Sequence, residues 1–129
     1  MKKIFALAVL CASLATAPAF AAQDVGMSMM QMSQSYRAVM KDKTLKDLKA
    51  DLANLKAAVL KAQAGVPDFL ASKPAEDPMR QAYREGINKL LSQIKLAQEY
   101  ASEGNFSKAQ ESASELGHIM RSYHKKLGV

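Results

Sequence analysis

Cysteine is nearly absent: the 129 residues hold a single one, Cys11, and no Trp. One cysteine excludes an internal disulfide scaffold, a cysteine-rich zinc site and a CxxCH attachment motif. Aromatic residues are only 6% of the chain, four Phe and four Tyr, a poor supply for sheets, so all-β and α/β folds are excluded. Four Pro and six Gly leave room for long uninterrupted helices. Histidine is scarce too. His118 and His124 are too few for a hydrolytic triad or a multi-histidine zinc site, and six residues of helix set them roughly 240° apart, so they cannot readily share one ligand. There is no P-loop, no dinucleotide-binding glycine pattern and no HExxH. A chain of this length is one domain, and its sequence carries no enzyme signature.

Charge and hydrophobicity are distributed unevenly. Lys2 and Lys3 precede an apolar run, Ile4 to Leu14, and Ala19-Phe20-Ala21 follows with A-x-A spacing; together these read as a secretory signal over residues 1–21, cut after Ala21. The run is too short for the roughly 20 apolar residues of a spanning helix, so no stable membrane insertion is expected. Cys11 lies inside the segment, but bulky Leu10 precedes it where lipoprotein processing wants a small residue. The cut leaves 108 residues of the 129; with Lys2 and Lys3 gone from the 18 basic residues, 16 face 12 acidic ones, a net charge of +4. Those 108 residues contain no Cys and must be held by packing alone. The expected address is the periplasm, and modest basicity points to acidic partners rather than nucleic acid.

In residues 22–129 apolar side chains recur in steps of three and four, the period of an amphipathic helix, in four segments. The first carries Val25, Met29, Met32, Tyr36 and Val39; the second Leu45, Leu48, Leu52, Leu55, Val59 and Ala62, closed at Gly65 by a glycine suited to positive φ. The third carries Tyr83, Ile87, Leu90, Ile94, Ala97 and Ala101, opening at Asp77-Pro78 and closing at Gly104. Phe106, Ala109, Ala113, Leu116, Met120, Tyr123 and Leu127 mark the fourth, with Asn105 or Ser107 as N-cap. The links Asp42 to Thr44 and Gly104-Asn105 are short and force antiparallel neighbours; only Gly65 to Asp77 makes a sizeable loop. The expected fold is all-α, an up-down-up-down antiparallel four-helix bundle over residues 22–129.

Methionine is the abundant residue. Of eight, four crowd into Met27-Ser28-Met29-Met30-Gln31-Met32. Met packs helical cores readily, which accounts for Met32 and in part for Met29, but Met27 and Met30 fall off the stripe. In an up-down-up-down bundle the start of the first helix and the end of the fourth share one end of the molecule. At roughly 1.5 Å per residue, Met29 and His124 both stand about 6–8 Å from that end. His124 follows Met120 by four residues and precedes Leu127 by three, which puts it on the inward face, and small Gly117 and Ala113 leave room beside it. A thioether and an imidazole facing across a bundle match the axial ligation of a b-type haem. A plainer role stays open for His124, an interaction with the helix C-terminal dipole like that of Lys125 and Lys126. His118 reads as a surface residue.

The fourth-segment ending Met120-Arg121-Ser122-Tyr123-His124-Lys125-Lys126, with Ala101-Ser102-Glu103-Gly104 and Tyr83-Arg84-Glu85-Gly86, resembles the soluble periplasmic cytochrome b562 family along essentially all of residues 22–129. The resemblance implies a four-helix bundle and a noncovalent haem b held by a Met of the first helix and a His near the end of the fourth, which fall on Met29 and His124. It also implies electron transfer to an unknown periplasmic redox partner rather than catalysis, since both axial positions come from protein. Arg37, Arg121 or Lys125 are the cations available to the haem propionates. The chain departs from such relatives at Met120, where they tend to carry Arg, and at Ile87, where an aromatic packs near the haem. Two other readings stand beside this one: a copper-binding or metal-stress protein taking Cu(I) on Met27, Met29, Met30, Met32, Met120 and His124, and a plain helical bundle acting through its surface.

Overall fold

The computed structural model describes residues 25–129. The signal segment 1–21, its cut after Ala21 and residues 22–24 lie outside the described residues. The described chain forms α1 (Val25–Lys41), α2 (Leu45–Ala64), α3 (Asp68–Ala71), α4 (Pro78–Ser102) and α5 (Phe106–Leu127), and no strand occurs among the described residues. The four long helices form the expected all-α bundle.

Three of them, α2, α4 and α5, begin where a side chain satisfies backbone N–H groups that the first turn leaves free. Thr44 Oγ1 accepts the Asp47 N–H at 3.1 Å, Asp77 Oδ1 accepts the Met79 N–H at 2.8 Å, and Asn105 Oδ1 accepts the Lys108 N–H at 3.1 Å. Pro78, at the first position of α4, has no N–H to satisfy. Both α4 and α5 end in a left-handed glycine with paired backbone bonds. At α4, Gly104 (φ 78°) donates to the Ala101 carbonyl and Asn105 to Tyr100; at α5, Gly128 (φ 75°) donates to Lys125 and Val129 to His124. Gly65 departs from expectation: its φ is −117° and its backbone is extended, because the chain continues straight into Pro67 rather than turning back.

The apolar stripes face one another. Leu48, Leu52, Val59, Ile94, Ala97 and Ala109 are fully buried. Around the bundle α1 neighbours α2, α2 neighbours α4, and α4 packs tightly on α5, which returns to α1 along the thinnest seam of the four. That order places the start of α1, the end of α2, the start of α4 and the end of α5 at one end.

The stretch 65–77, expected as plain loop, contains the single turn α3, which drops Leu70 into the core at 0% exposure. Side chains of α4 pin the rest: Arg80 donates to the Lys73 carbonyl at 3.0 Å and Arg84 to Ala75 at 2.9 Å, while the buried Tyr83 hydroxyl donates to the Ala62 carbonyl in the last turn of α2 at 2.6 Å. At the opposite end the Gln110 amide donates to the Val39, Met40 and Asp42 carbonyls, closing the α1 C-terminus against α5. There the Asp42 carboxyl is pushed up to about 6, by burial first and then by the carboxylates of Asp51 and Asp47.

Candidate functional site

Where the seam between α1 and α5 is thin, a cleft of about 220 Å³ opens into the bundle. Met29, in the second turn of α1, and His124, in the last turn of α5, both line it, and both also line an adjoining cavity of about 380 Å³ at the bundle end. Tyr83, Ile87 and Leu90 of α4 form the back wall, with Met32 below and Leu127 above. The helix-ending bond from Val129 N–H to the His124 carbonyl, 3.0 Å, fixes the histidine backbone even though its side chain is exposed.

The two histidines part company here. His118 is exposed, its Nδ1 lies 3.0 Å from Arg121 Nη2, and it does not line the cleft. The His124 ring makes no hydrogen bond or ion pair among the described residues, so both nitrogens are available. Among the methionines, Met27 and Met30 are 58% and 62% exposed and stay outside the cleft; Met32 is 2% exposed, and Met29 is half-buried at the cleft wall. Met120 and Ile87, the two departures from the resemblance, both line the cleft. Of the cations Arg37, Arg121 and Lys125, only Arg121 does.

Gly117 lines the cleft as well, while Ala113 does not. The room expected at Gly117 is taken up from across the seam: a Cβ there would stand 2.5 Å from the Tyr36 hydroxyl and 3.2 Å from Arg121 Nη1. A second notch lies at Gly86, whose place in the sequence signals only an isolated glycine inside a helix and not the contact it makes. Its Cβ would stand 2.8 Å from Cγ and Cδ1 of Tyr123, so the ring lies directly on the α4 backbone. Lys89 and Lys126 each place an ammonium 5.5 Å from that ring, and Glu85 bridges to both, at 3.6 and 3.7 Å. The Tyr123 hydroxyl, then the Lys126 ammonium, hold the Glu85 carboxyl below its ordinary value. These exposed charges contribute little to stability but fix the rim of the cleft.

No described helix is long and apolar enough to cross a membrane. The profile of the family described as Cytochrome b562 matches residues 24–127. Over 126 residues, 98% of each chain, the sequence is 29% identical to the probable soluble cytochrome b562 2 of Yersinia pestis. It is 31% identical over 81 residues to the probable soluble cytochrome b562 1 of the same organism, covering 63% of this chain and 64% of the relative. Bundle, cleft and profile agree, and the chain belongs to the cytochrome b562 family, whose members are haem-binding electron carriers rather than enzymes.

Proposed function

We propose that this chain is a periplasmic electron carrier that holds one noncovalent haem b through Met29 and His124. The observation that carries the reading is the cleft those two side chains share, one from each of two neighbouring helices, with the imidazole nitrogens unengaged. The residues present fit the group. The walls are mostly apolar, the glycines at 86 and 117 bring helix backbone to the cleft, and what covers Gly117 is the far end of the Tyr36 and Arg121 side chains rather than backbone. Bound haem supplies a one-electron ferric/ferrous couple. The chain's own residues would do the rest: Met29 and His124 would hold the iron, the thioether would favour the reduced state, and Arg121, which lines the cleft, would meet a propionate.

Attachment is noncovalent because residues 22–129 contain no Cys. The periplasmic address rests on the signal pattern of residues 1–21. The surplus of basic side chains suits an acidic redox partner met in brief encounters. Titrating the purified protein with hemin tests the reading: uptake should saturate at one haem per chain with a low-spin spectrum, and acid acetone should extract all pigment. Uptake without saturation, or pigment retained by the polypeptide, would contradict it.

A further inference from the structure

The cleft contains more sulfur than two-ligand haem ligation uses. Met29 and Met32 are three residues apart on α1; Met120 and His124 are four apart on α5, and all four line the one cleft. Spacings of three and four put each pair on one face of its helix, so two bidentate pairs meet across a helix–helix seam, the way bundles build metal sites in their interiors. Neither Asp nor Glu lines the cleft. Thioether and imidazole donors without a carboxylate give little to Mg²⁺ or Ca²⁺, which require oxygen ligands, and a single His with no thiolate is a poor zinc set. A site of neutral donors walled by Ile87 and Leu90, with Arg121 nearby, accepts one positive charge more easily than two. Soft neutral donors and a monovalent charge together select Cu(I).

We propose that the haem-free protein binds one Cu(I) in this cleft through Met29, Met120 and His124, with Met32 as the fourth donor, and that Cu(I) and haem exclude each other. The proposal rests on the same placement of Met29 and His124 as the haem reading, but Met120 serves as a ligand for copper alone. The lone pairs of sulfur and nitrogen form the bonds, and no electron changes hands.

Haem-free protein titrated anaerobically with Cu(I) against a chromophoric Cu(I) chelator should bind one equivalent. Met120→Leu, which keeps volume and removes sulfur, should weaken that binding at least about tenfold, or ~1.4 kcal/mol, while still taking up one low-spin haem. A Met27→Leu, Met30→Leu double variant should bind Cu(I) like wild type. Hemin added to the copper-loaded protein should release the metal to the chelator one for one. X-ray absorption on copper-loaded wild type, which needs no variant to fold, should show sulfur as the majority first-shell scatterer with one nitrogen. Absence of Cu(I) binding, wild-type affinity in Met120→Leu, loss only in the double variant, or copper retained beside a full complement of haem would each overturn the proposal. Failure of hemin to bind at all would instead count against the haem reading and leave the copper titration to be read by itself.

Discussion

Gly86 and Gly117 both line the cleft, yet alanine should act in opposite directions at the two positions. In a helix interior, Gly→Ala gains about 1 kcal/mol from backbone entropy alone. At Gly86 the new Cβ would meet Tyr123 Cγ and Cδ1 at 2.8 Å. Carbon atoms prefer about 3.5–4.0 Å, so the contact is short by roughly 0.7 Å or more. Cγ is the root of the ring, one bond from the Tyr123 Cβ, and it retreats only if α5 moves away from α4 or the ring leaves the rim. Overpacking of this kind costs about 1–3 kcal/mol, for a net loss of about 1 kcal/mol. At Gly117 the nearest atoms are the Tyr36 hydroxyl at 2.5 Å and Cζ at 3.0 Å, the far end of a half-buried side chain beside an open cleft. The ring tip moves aside and gives up only a long 3.4 Å hydrogen bond to the Ser114 carbonyl. Most of the propensity gain of about 1 kcal/mol should remain. Haem-free urea melts followed by far-UV circular dichroism should therefore rank Gly117→Ala above wild type and Gly86→Ala below, separated by about 2 kcal/mol. Gly117→Ala should also take up hemin more weakly, since Tyr36 is pushed into the space the haem requires. If Gly86→Ala were the more stable variant, the assignment of Tyr123 to the α4 backbone would be wrong.

Other perturbations probe the remaining supports. Tyr83→Phe removes the 2.6 Å bond from a buried hydroxyl to the Ala62 carbonyl and should cost about 1–2 kcal/mol in the same urea melt. The Asp42 carboxyl sits at about 6 against an ordinary 3.8, so the folded chain binds more protons than the unfolded one between those values; its contribution to stability falls as pH rises through that window and is constant above it. Asp42→Asn should flatten that part of the stability–pH curve and gain about 1 kcal/mol at pH 7, screening at the turn having reduced the full effect. Gln110→Ala leaves the Val39, Met40 and Asp42 carbonyls without the amide that joins them, and hydrogen exchange should quicken at the C-terminus of α1 while α4 is unaffected.

The four long helices were legible because each stripe is amphipathic on its own: Leu48, Leu52, Leu55, Val59 and Ala62 need no knowledge of a partner to be recognised as a buried face. Caps at Asp77 and Asn105 were legible for the same reason, as their hydrogen bonds reach only two or three residues. Pairing Met29 with His124 needed one further step, the end-to-end logic of an antiparallel bundle. What stayed hidden depends on distant contacts. Tyr36 covers Gly117 from a helix 81 residues upstream of it, and the spacing of either helix alone does not say how closely they approach. The turn α3 exists because Leu70 finds a core to enter, and four residues carry too little periodicity to announce it. Gly128 and Val129, which tie off α5 at His124, follow a recognisable glycine-ending pattern and could have been read.

The spin state of the bound haem iron across a small set of variants tests the central claim most directly. Met29→Ala and His124→Ala should each lose one axial ligand, converting low-spin six-coordinate iron partly or wholly to high spin, and Met29→Ala should also lower the potential, since methionine ligation favours the reduced form. Met30→Ala, at a 62% exposed position, and His118→Ala, whose imidazole faces Arg121, should leave spectrum and potential at wild-type values. A low-spin spectrum surviving in Met29→Ala or His124→Ala, or lost in His118→Ala, would contradict the assignment of these two residues as the haem ligands.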